Sequence, residues 1–418
     1  MRRPLHIAKR EPSAHGHVGE RDRILLRTRW ALRTCWHVQS SSVTEIAPET
    51  VNSAPPVRQE KQPASAEVIE VAPDVLRLQL PIALPGLAHI NTYAIVGKAG
   101  VAIVDPGLPG PQSWKALERR MKLAGIATKH VTHVLITHSH PDHYGNAGRL
   151  AKAADAQLVT HRAFRMPWNK GQSHTCAFDD CVDPDHAHAD VGQDPLPEAE
   201  MRFGVTPPWG GEAYAPAMKK GMTYRMVKMA SGSPVLGRFF PLPKPTTRLR
   251  HDQAIRLGDR DWFAVHTPGH TLDHLCLFDP EGGTFMSGDH VLPTITPHIS
   301  GIGSGANPLD SFFTSLDNVA RLPGVKRVLP AHGYPFDDLA GRCADIRDHH
   351  RERLERLRRA HAEDRSSTVA DYSHHLFRKE RWGSMASSET YAHLEYLRLR
   401  GEAEKTVDAN GEARYRFL

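Results

Sequence analysis

Short runs of apolar residues recur along the middle of the chain at spacings that predict alternating strands and helices. In the first half, strands are predicted at 75–80, 90–96, 101–104, 131–137 and 157–160. Amphipathic helices are predicted between them at 111–123 and 147–154. The second half repeats the pattern, with strands at 253–257, 262–266, 273–278, 284–287 and 325–329 and a helix at 309–320. Two such halves predict an α/β protein built as an αββα sandwich.

Three segments depart from this pattern. Residues 1–66 contain few core-forming residues and predict a disordered basic tail and linker. Residues 161–248 are rich in Pro, Gly, Trp, Met and His, and they predict an inserted lid. The catalytic domain is therefore expected at 67–343. Residues 344–418 predict a C-terminal winged-helix domain, with helices at 344–361, 368–378 and 387–400 and a hairpin turning at 408–411.

Charge and composition exclude several classes of protein. The 418 residues carry a net charge of +6, and residues 1–34, with nine Lys/Arg and three Asp/Glu, account for all of it. The neutral remainder disfavours nucleic acid as a partner. No apolar run reaches the length of a membrane-spanning helix, so no membrane partner is expected. Five cysteines are too few for a disulfide framework in a chain of this length, which predicts a reducing, cytoplasmic location.

The sequence contains 27 histidines, and because histidine is the commonest metal ligand, this number favours a metal-binding protein. The strand predicted at 131–137 runs directly into His138, His140, Asp142 and His143. Further ligand-type residues follow later strands, at His270, Asp289 and His332, and Asp105 ends the strand 101–104. Imidazole and carboxylate ligands suit Zn²⁺, Fe²⁺ or Mn²⁺. A compact H-x-H-x-D-H run followed by three more ligands is a specific signal for a metal site.

These motifs resemble, in content and order, those of the metallo-β-lactamase-fold hydrolase superfamily, over about residues 68–343. The resemblance implies one metal ion held by His138, His140 and His270. It implies a second ion held by Asp142, His143 and His332, with Asp289 and a hydroxide bridging the two. Asp105 would support the ligand loop through hydrogen bonds, and Asp142 would also orient the nucleophile. Two zinc ions are expected, with iron or manganese as alternatives.

Two further features narrow the resemblance. The run from His270 to His274 is similar to the glyoxalase II-like branch, in which the last histidine is structural. Residues 392–397 resemble the C-terminal winged helix of the β-lactamase-like protein 2 group. Some members of that group cleave single-stranded RNA, and fungal relatives hydrolyse acyl-carrier thioesters.

The function predicted on this basis is hydrolysis of a small-molecule thioester or related acyl ester by a bridging hydroxide. The alternatives are a phosphodiesterase or endoribonuclease of the same fold and a one-iron sulfur dioxygenase. A transcriptional regulator using the winged helix is a third alternative. It is disfavoured because Glu389 and Glu395 cancel Arg398 and Arg400 on the predicted recognition helix.

Several other residues carry weaker signals. Tyr144, His290 and His298 flank the metal motifs and are candidates for substrate contact. His349 and His350, on a strongly charged helix, are expected to be solvated, and Cys276 is expected in the core. Within the lid, the nearby residues His174, Cys176, Cys181, His186 and His188 are expected to form a polar loop rather than a second metal cluster, because their spacing fits no standard zinc site.

Overall fold

The structure of the protein is a computed structural model that describes residues 58–165, 207–210, 241–364 and 368–418, without the side chains of 361–364. The first 57 residues, most of the predicted lid and the histidine–cysteine run at 174–188 lie outside the described residues. No helix among the residues described is long and apolar enough to cross a membrane.

The first half of the described chain forms a seven-stranded sheet whose strands follow one another in chain order. Its strands are β1 (Val68–Ala72), β2 (Val75–Leu84), β3 (Leu87–Gly97), β4 (Gly100–Val104), β5 (Val131–Leu135), β6 (Gln157–His161) and β7 (Thr247–Leu249). Strands β1 to β4 pair antiparallel, and β4 to β7 pair parallel. The predicted strand at 131–137 ends two residues early, so that Ile136 and Thr137 begin the loop that carries the predicted ligands.

Helices cover the outer face of this sheet. They are α1 (Pro111–Leu123), α2 (Pro141–Tyr144) and α3 (Ala147–Ala154). Leu117 of α1 and Leu150 of α3 are fully buried in one apolar cluster with Leu78, Ile90 and Ile103 of the sheet. Burial of these side chains away from water is the main force that fixes the helices on the sheet.

The second half forms a five-stranded sheet with the order β12-β11-β10-β9-β8 among the described strands. These are β8 (Ala254–Leu257), β9 (Arg260–His266), β10 (Leu275–Asp279), β11 (Thr284–Gly288) and β12 (Arg327–Pro330), and helix α4 (Pro308–Ala320) follows β11. Trp262, Leu277 and Met286 pack against Tyr93 and Leu135 of the first sheet in a shared core between the sheets. With α4 packed against the outer face of the second sheet, the layers are α, β, β and α, which confirms the predicted sandwich.

The C-terminal residues form three helices and a hairpin, in the order predicted. They are α5 (Leu339–Asp364), α6 (Val369–Leu376), α7 (Ser384–Leu399), β13 (Ala403–Val407) and β14 (Ala413–Phe417). Leu394 and Leu397 of α7 lie in the same buried cluster as Phe312 and Leu316 of α4. The C-terminal helices therefore pack on the second half of the sandwich, and their assignment as a winged helix stays a prediction.

The expectation that His349 and His350 are both solvated is wrong for His350. Its side chain is fully buried, packs edge-on against Phe312, and lies 3.1 Å from the ring nitrogen of His393. His350 shares one helix face with Ile346, Leu354 and Leu357, all of them buried. Because many residues of α5 are charged, the sequence pattern did not reveal this apolar face.

The packed chain begins earlier than the predicted boundary at residue 66. A short 3₁₀ turn at Gln59–Lys61 buries Glu60 completely. The Ser65 amide donates to Gln79 Oε1, and the Arg120 guanidinium donates to the Ser65 carbonyl. Because this segment is held by polar contacts rather than by apolar side chains, its hydrophobic pattern did not reveal it.

Candidate metal centre

The predicted ligands meet because the strands that precede them end at the same edges of the two sheets. Strands β4 and β5 are parallel neighbours, as are β11 and β12. Strand β9 runs in the same direction as β11, since both are antiparallel to β10. The carboxyl ends of these strands therefore gather the loops that carry Asp105, His138–His143, His270, Asp289 and His332.

The loop after β5 sends its side chains to two different points. His140 is extended, with φ −82° and ψ 145°, because it precedes Pro141. Pro141 then starts the short helix α2, which is compatible with the fixed φ of proline. This change from extended to helical backbone separates His138 and His140 from Asp142 and His143.

The first cluster consists of His138, His140, His270 and Asp289. The Nδ1 atom of His140 lies 3.0 Å from Nε2 of His138 and 3.0 Å from Nε2 of His270. Asp289 Oδ2 lies 3.6 Å from His270 Nε2 and 4.0 Å from His138 Nε2. Three imidazole nitrogens and one carboxylate oxygen thus converge on one point.

The second cluster consists of Asp142, His143 and His332. Asp142 Oδ2 lies 3.4 Å from His332 Nε2 and 3.6 Å from His143 Nε2. Asp289 also reaches this cluster, with Oδ1 at 3.3 Å from His332 Nε2 and Oδ2 at 3.5 Å from His143 Nε2. Asp289 is therefore placed between the clusters, where one carboxylate faces both.

The outer nitrogens of four histidines are engaged by other groups. His270 Nδ1 lies 2.7 Å from the His298 carbonyl, and His332 Nδ1 lies 2.7 Å from the His89 carbonyl. The corresponding partners are Asp105 Oδ2, at 2.8 Å from His143 Nδ1, and Thr137 Oγ1, at 3.1 Å from His138 Nδ1. Because a carbonyl or carboxylate accepts, the neutral rings of His143, His270 and His332 carry their hydrogen on Nδ1, which leaves the lone pair of Nε2 facing the cluster.

The atoms that face inward fit cations. His143 Nε2, His332 Nε2 and Asp289 Oδ1 are buried and have no hydrogen-bond partner of acceptable geometry, although they lie close together. Buried polar atoms are rarely left unsatisfied in this way. Divalent cations bound by these nitrogens and oxygens would satisfy them, so the residues present fit a metal site.

The clusters differ in their electrostatics. Burial, reinforced by neighbouring histidines, holds the pKa of His138 well below its ordinary value and lowers that of His140 to about 3. Burial also opposes a charged imidazole at His332, but the carboxylates of Asp289 and Asp142 outweigh it and raise the His332 pKa to about 10. Protonation is therefore disfavoured at these two histidines of the first cluster and favoured at His332 of the second.

Asp105 lies behind the ligand loop. Its Oδ1 accepts from the Thr137 amide at 2.8 Å, and its Oδ2 accepts from the Thr137 hydroxyl at 2.7 Å as well as from His143. Asp105 adopts a left-handed conformation with φ 51°, which Asp and Asn tolerate better than most residues. One carboxylate thus contacts the start of the loop and the ring of a predicted ligand.

His274 supports Asp289 from behind. Its Nε2 accepts from the Asp289 amide at 3.1 Å, and its Nδ1 lies 2.8 Å from Thr267 Oγ1. Gly288 permits this approach, because it has φ 52° and a Cβ there would lie 2.8 Å from His274 Nε2. These contacts agree with the structural role that the resemblance implied for His274.

The three candidates for substrate contact have different surroundings. His290 is fully buried and packs edge-on against Phe312 of the core, and Tyr144 is also buried. The His298 side chain is 20% exposed, and the main-chain carbonyl of the same residue contacts His270. Sequence reasoning did not identify His89 or Asn91, whose contacts depend on residues more than 200 positions away.

Comparison with known proteins agrees with this arrangement. The family model of the metallo-beta-lactamase superfamily matches residues 85–332, which is more than half of the chain. The chain is 24% identical over 349 residues to the probable metallo-hydrolase YqjP of Bacillus subtilis, covering 81% of this chain and 95% of that protein. A beta-lactamase domain protein from Burkholderia ambifaria is similar in structure, with a TM-score of 0.61 and 26% identity, over 86% of this chain and 97% of that one.

A shorter match concerns a protein with a more specific name. The hydroxyacylglutathione hydrolase of Albidiferax ferrireducens is 32% identical over 122 residues, covering 28% of this chain and 46% of that protein. The match therefore extends over less than half of the relative. Taken with the fold and the converging histidines and aspartates, the family match shows that this chain belongs to the metallo-beta-lactamase superfamily of metallo-hydrolases.

Proposed function

We propose that the chain is a dinuclear metal-dependent hydrolase that acts on a small-molecule thioester or a related acyl ester. The observation that carries this proposal is the position of Asp289, which faces both clusters at 3.3–4.0 Å. A carboxylate in this position can hold two cations close together. His138, His140 and His270 would hold one ion, and Asp142, His143 and His332 the other.

Zinc is the preferred ion for this set of ligands, and iron and manganese are compatible with it. A pair of bound cations supplies a water ligand of lowered pKa and polarises the carbonyl of an ester. The outer hydrogen bonds of the histidines fix their rings, so little reorganisation accompanies the reaction.

Asp142 has a second role in this proposal. Burial opposes its ionisation, but His143 and His332 outweigh that effect and lower the pKa of Asp142 to about 2. It is therefore ionised at neutral pH and can accept a hydrogen bond from the attacking water. This contact would orient the nucleophile toward the acyl carbon.

A thioester suits these residues best. A thiolate leaves without strong assistance from a general acid, whereas an amide or a phosphodiester needs more. The histidines that converge here are all predicted ligands or hydrogen-bond partners. The match to a hydroxyacylglutathione hydrolase, whose name denotes cleavage of an acylated glutathione, supports the same substrate class.

The test combines metal analysis with a panel of substrates. The purified protein should hold about two transition-metal ions per chain, and a strong chelator should abolish hydrolysis. Acyl-glutathione and acyl-coenzyme A thioesters should be cleaved faster than bis-p-nitrophenyl phosphate. Preferential phosphodiester cleavage would favour the nuclease alternative, and one iron with oxygen consumption would favour the dioxygenase.

A pair of histidine variants on the same segment controls for folding. His138→Ala removes a predicted ligand, whereas His133→Ala removes a half-buried histidine within β5 that contacts Thr132. We expect His138→Ala to lose metal and activity and His133→Ala to keep both. Equal metal content and rate in the two variants would contradict the proposed site.

A further inference from the structure

Glu389, in the C-terminal helix α7, is connected to the first cluster through one residue. The predicted ligand His270 donates from Nδ1 to the main-chain carbonyl of His298 at 2.7 Å. The ring of His298 in turn lies with Nδ1 at 3.4 Å from Glu389 Oε2. The backbone of His298 thus contacts the ligand while its side chain contacts the C-terminal region.

The loop that carries His298 is irregular. It joins β11 to α4 over residues 289–307 and forms no strand or helix, so neighbouring elements must hold its backbone in place. Arg342 of α5 donates to the carbonyls of Leu292 and Ile295 at 2.7 and 2.8 Å. Both contacts with helix α5 lie before His298 in the loop.

Helix α7 holds the part of the loop around and after His298. The Gly301 amide donates to Ser388 Oγ at 3.1 Å, and a Cβ at Gly301 would lie 2.6 Å from the Ser388 carbonyl. Ser304 Oγ donates to the carbonyl of His270 at 3.1 Å. The loop therefore fits between α7 and the segment that carries His270.

Glu389 is itself firmly held. Its side chain is 9% exposed and forms an ion pair through Oε1 with Arg353 of α5, whose side chain is 11% exposed. Its main-chain carbonyl accepts from His393 Nδ1 at 2.7 Å. A buried carboxylate paired on one oxygen with arginine offers a fixed acceptor on the other oxygen.

We propose that Glu389 is a positioning residue for the hydrolase: through His298, it sets the orientation of His270 and hence the affinity of the first cluster for its cation. The inference rests on the proposed function in one respect, that the first cluster holds a cation. It makes the C-terminal region part of the active centre, although that region contributes no predicted ligand.

The experiment measures cation affinity directly, apart from catalysis. Stepwise binding of Co²⁺ to the metal-depleted full chain, followed by its absorption spectrum, should resolve two affinities in the wild type. Glu389→Gln keeps the shape of the side chain and removes its charge. We expect it to weaken one of the two affinities by roughly tenfold or more and to leave the other unchanged.

Glu395→Gln is the matched control. Glu395 lies on the same helix, is similarly buried, and pairs with Arg398 and Lys405 toward the hairpin rather than toward the loop. It should lower the melting temperature and leave both Co²⁺ affinities unchanged. A loss of affinity in this control equal to that in Glu389→Gln would show a general effect of destabilisation and overturn the proposal.

His298→Phe supplies a second, independent variant, since it keeps the main-chain carbonyl and a planar aromatic ring but removes the nitrogen that contacts Glu389. We expect the same selective loss of affinity, and no further loss when Glu389→Gln is added. If Glu389→Gln does not fold, the Co²⁺ affinities of His298→Phe test the proposal by themselves. A folded variant with both affinities intact would overturn the inference.

Catalysis provides the last readout. Glu389→Gln at saturating metal should lower kcat more than it raises KM, because the change affects a ligand rather than a substrate contact. The proposed function fails separately if the wild type binds two cations but hydrolyses no ester. Selective loss of one Co²⁺ affinity in Glu389→Gln would still support the positioning role.

Discussion

The two predicted metal clusters share similar ligands but depend on different parts of the chain. In the first cluster, His270 is held by the His298 carbonyl on a loop that packs against α7. In the second cluster, His332 is held by the His89 carbonyl in β3. Two clusters of similar side chains are thus supported by residues from opposite ends of one sequence.

The support of the second cluster extends to the N-terminal segment. His89 lies with Nδ1 at 2.8 Å from the Gln62 carbonyl, and its Nε2 accepts from the Gly333 amide at 3.1 Å. Asn91 donates to the carbonyls of Pro330 and Gly333 at 2.9 and 2.8 Å. The backbone around His332 is thus fixed by the first sheet and by residues just before it.

The largest effect is expected at Asp289, whose carboxylate faces both clusters. Asp289→Asn keeps the size of the side chain and removes its charge. We expect loss of one cation and a fall in rate of at least about a hundredfold, measured by elemental analysis and steady-state kinetics. Asp279→Asn, which alters a buried aspartate paired with Arg260, should reduce stability and keep both cations.

An Asp289→Asn enzyme with two cations and a near-normal rate would show that the clusters do not share this carboxylate. The two cations would then be held without a common carboxylate ligand.

A smaller, selective effect is expected at Asp105. Asp105→Asn preserves the tolerance for a left-handed backbone but weakens the acceptor for His143 and Thr137. We expect the affinity of the second cluster to fall by about 10–100-fold, and that of the first cluster to change less. Stepwise Co²⁺ titration measures both. An equal loss of Co²⁺ affinity in the two clusters would mean that the ligand loop moves as one unit.

The smallest effect on rate is expected from the N-terminal segment. A chain that starts at Glu67 lacks Glu60, which accepts from the Thr294 amide, and Gln62, which contacts His89. Hydrogen bonds to a charged group contribute about 1.5–3 kcal/mol, so this chain should be less stable by at least about 2 kcal/mol. Its rate of hydrolysis should fall severalfold, because the loss of Gln62 removes a contact of His89, whose carbonyl holds the ring of His332.

A chain that starts at Arg58 is the control, because the sequence before it has few core-forming residues. It should match the full chain in denaturant unfolding and in rate. If the two truncated chains unfold at the same denaturant concentration, the contacts of residues 58–66 do not contribute to stability.

The local pattern of apolar and polar residues was sufficient to predict the strands and helices and the order of the candidate ligands along the chain. Strands such as β4 and β10 were predicted within one or two residues, because apolar runs between turn residues indicate buried strands. The run from His138 to His143 was informative because its residues are close in sequence and follow a strand. Cys276 also lies in the core, as its alternation within the strand predicted.

Errors arose where the role of a residue depends on a distant partner. His350 is buried through contacts with Phe312 and His393, which its charged neighbours on α5 do not reveal. Glu60 is buried although it lies in a polar segment, because its carboxylate accepts hydrogen bonds from the amide and the hydroxyl of Thr294, 234 positions away.

The sequence by itself determined the two halves of the sandwich, the residues that converge at the strand ends and the neutral character of the body. It did so because periodicity and short spacing are local properties. The tertiary structure decided which groups support those residues. His89 meets His332 across 243 positions, and His298 meets Glu389 across 91. Such pairs form only when the packing of sheets and helices brings their backbones together, and no local pattern in a single chain encodes that distance.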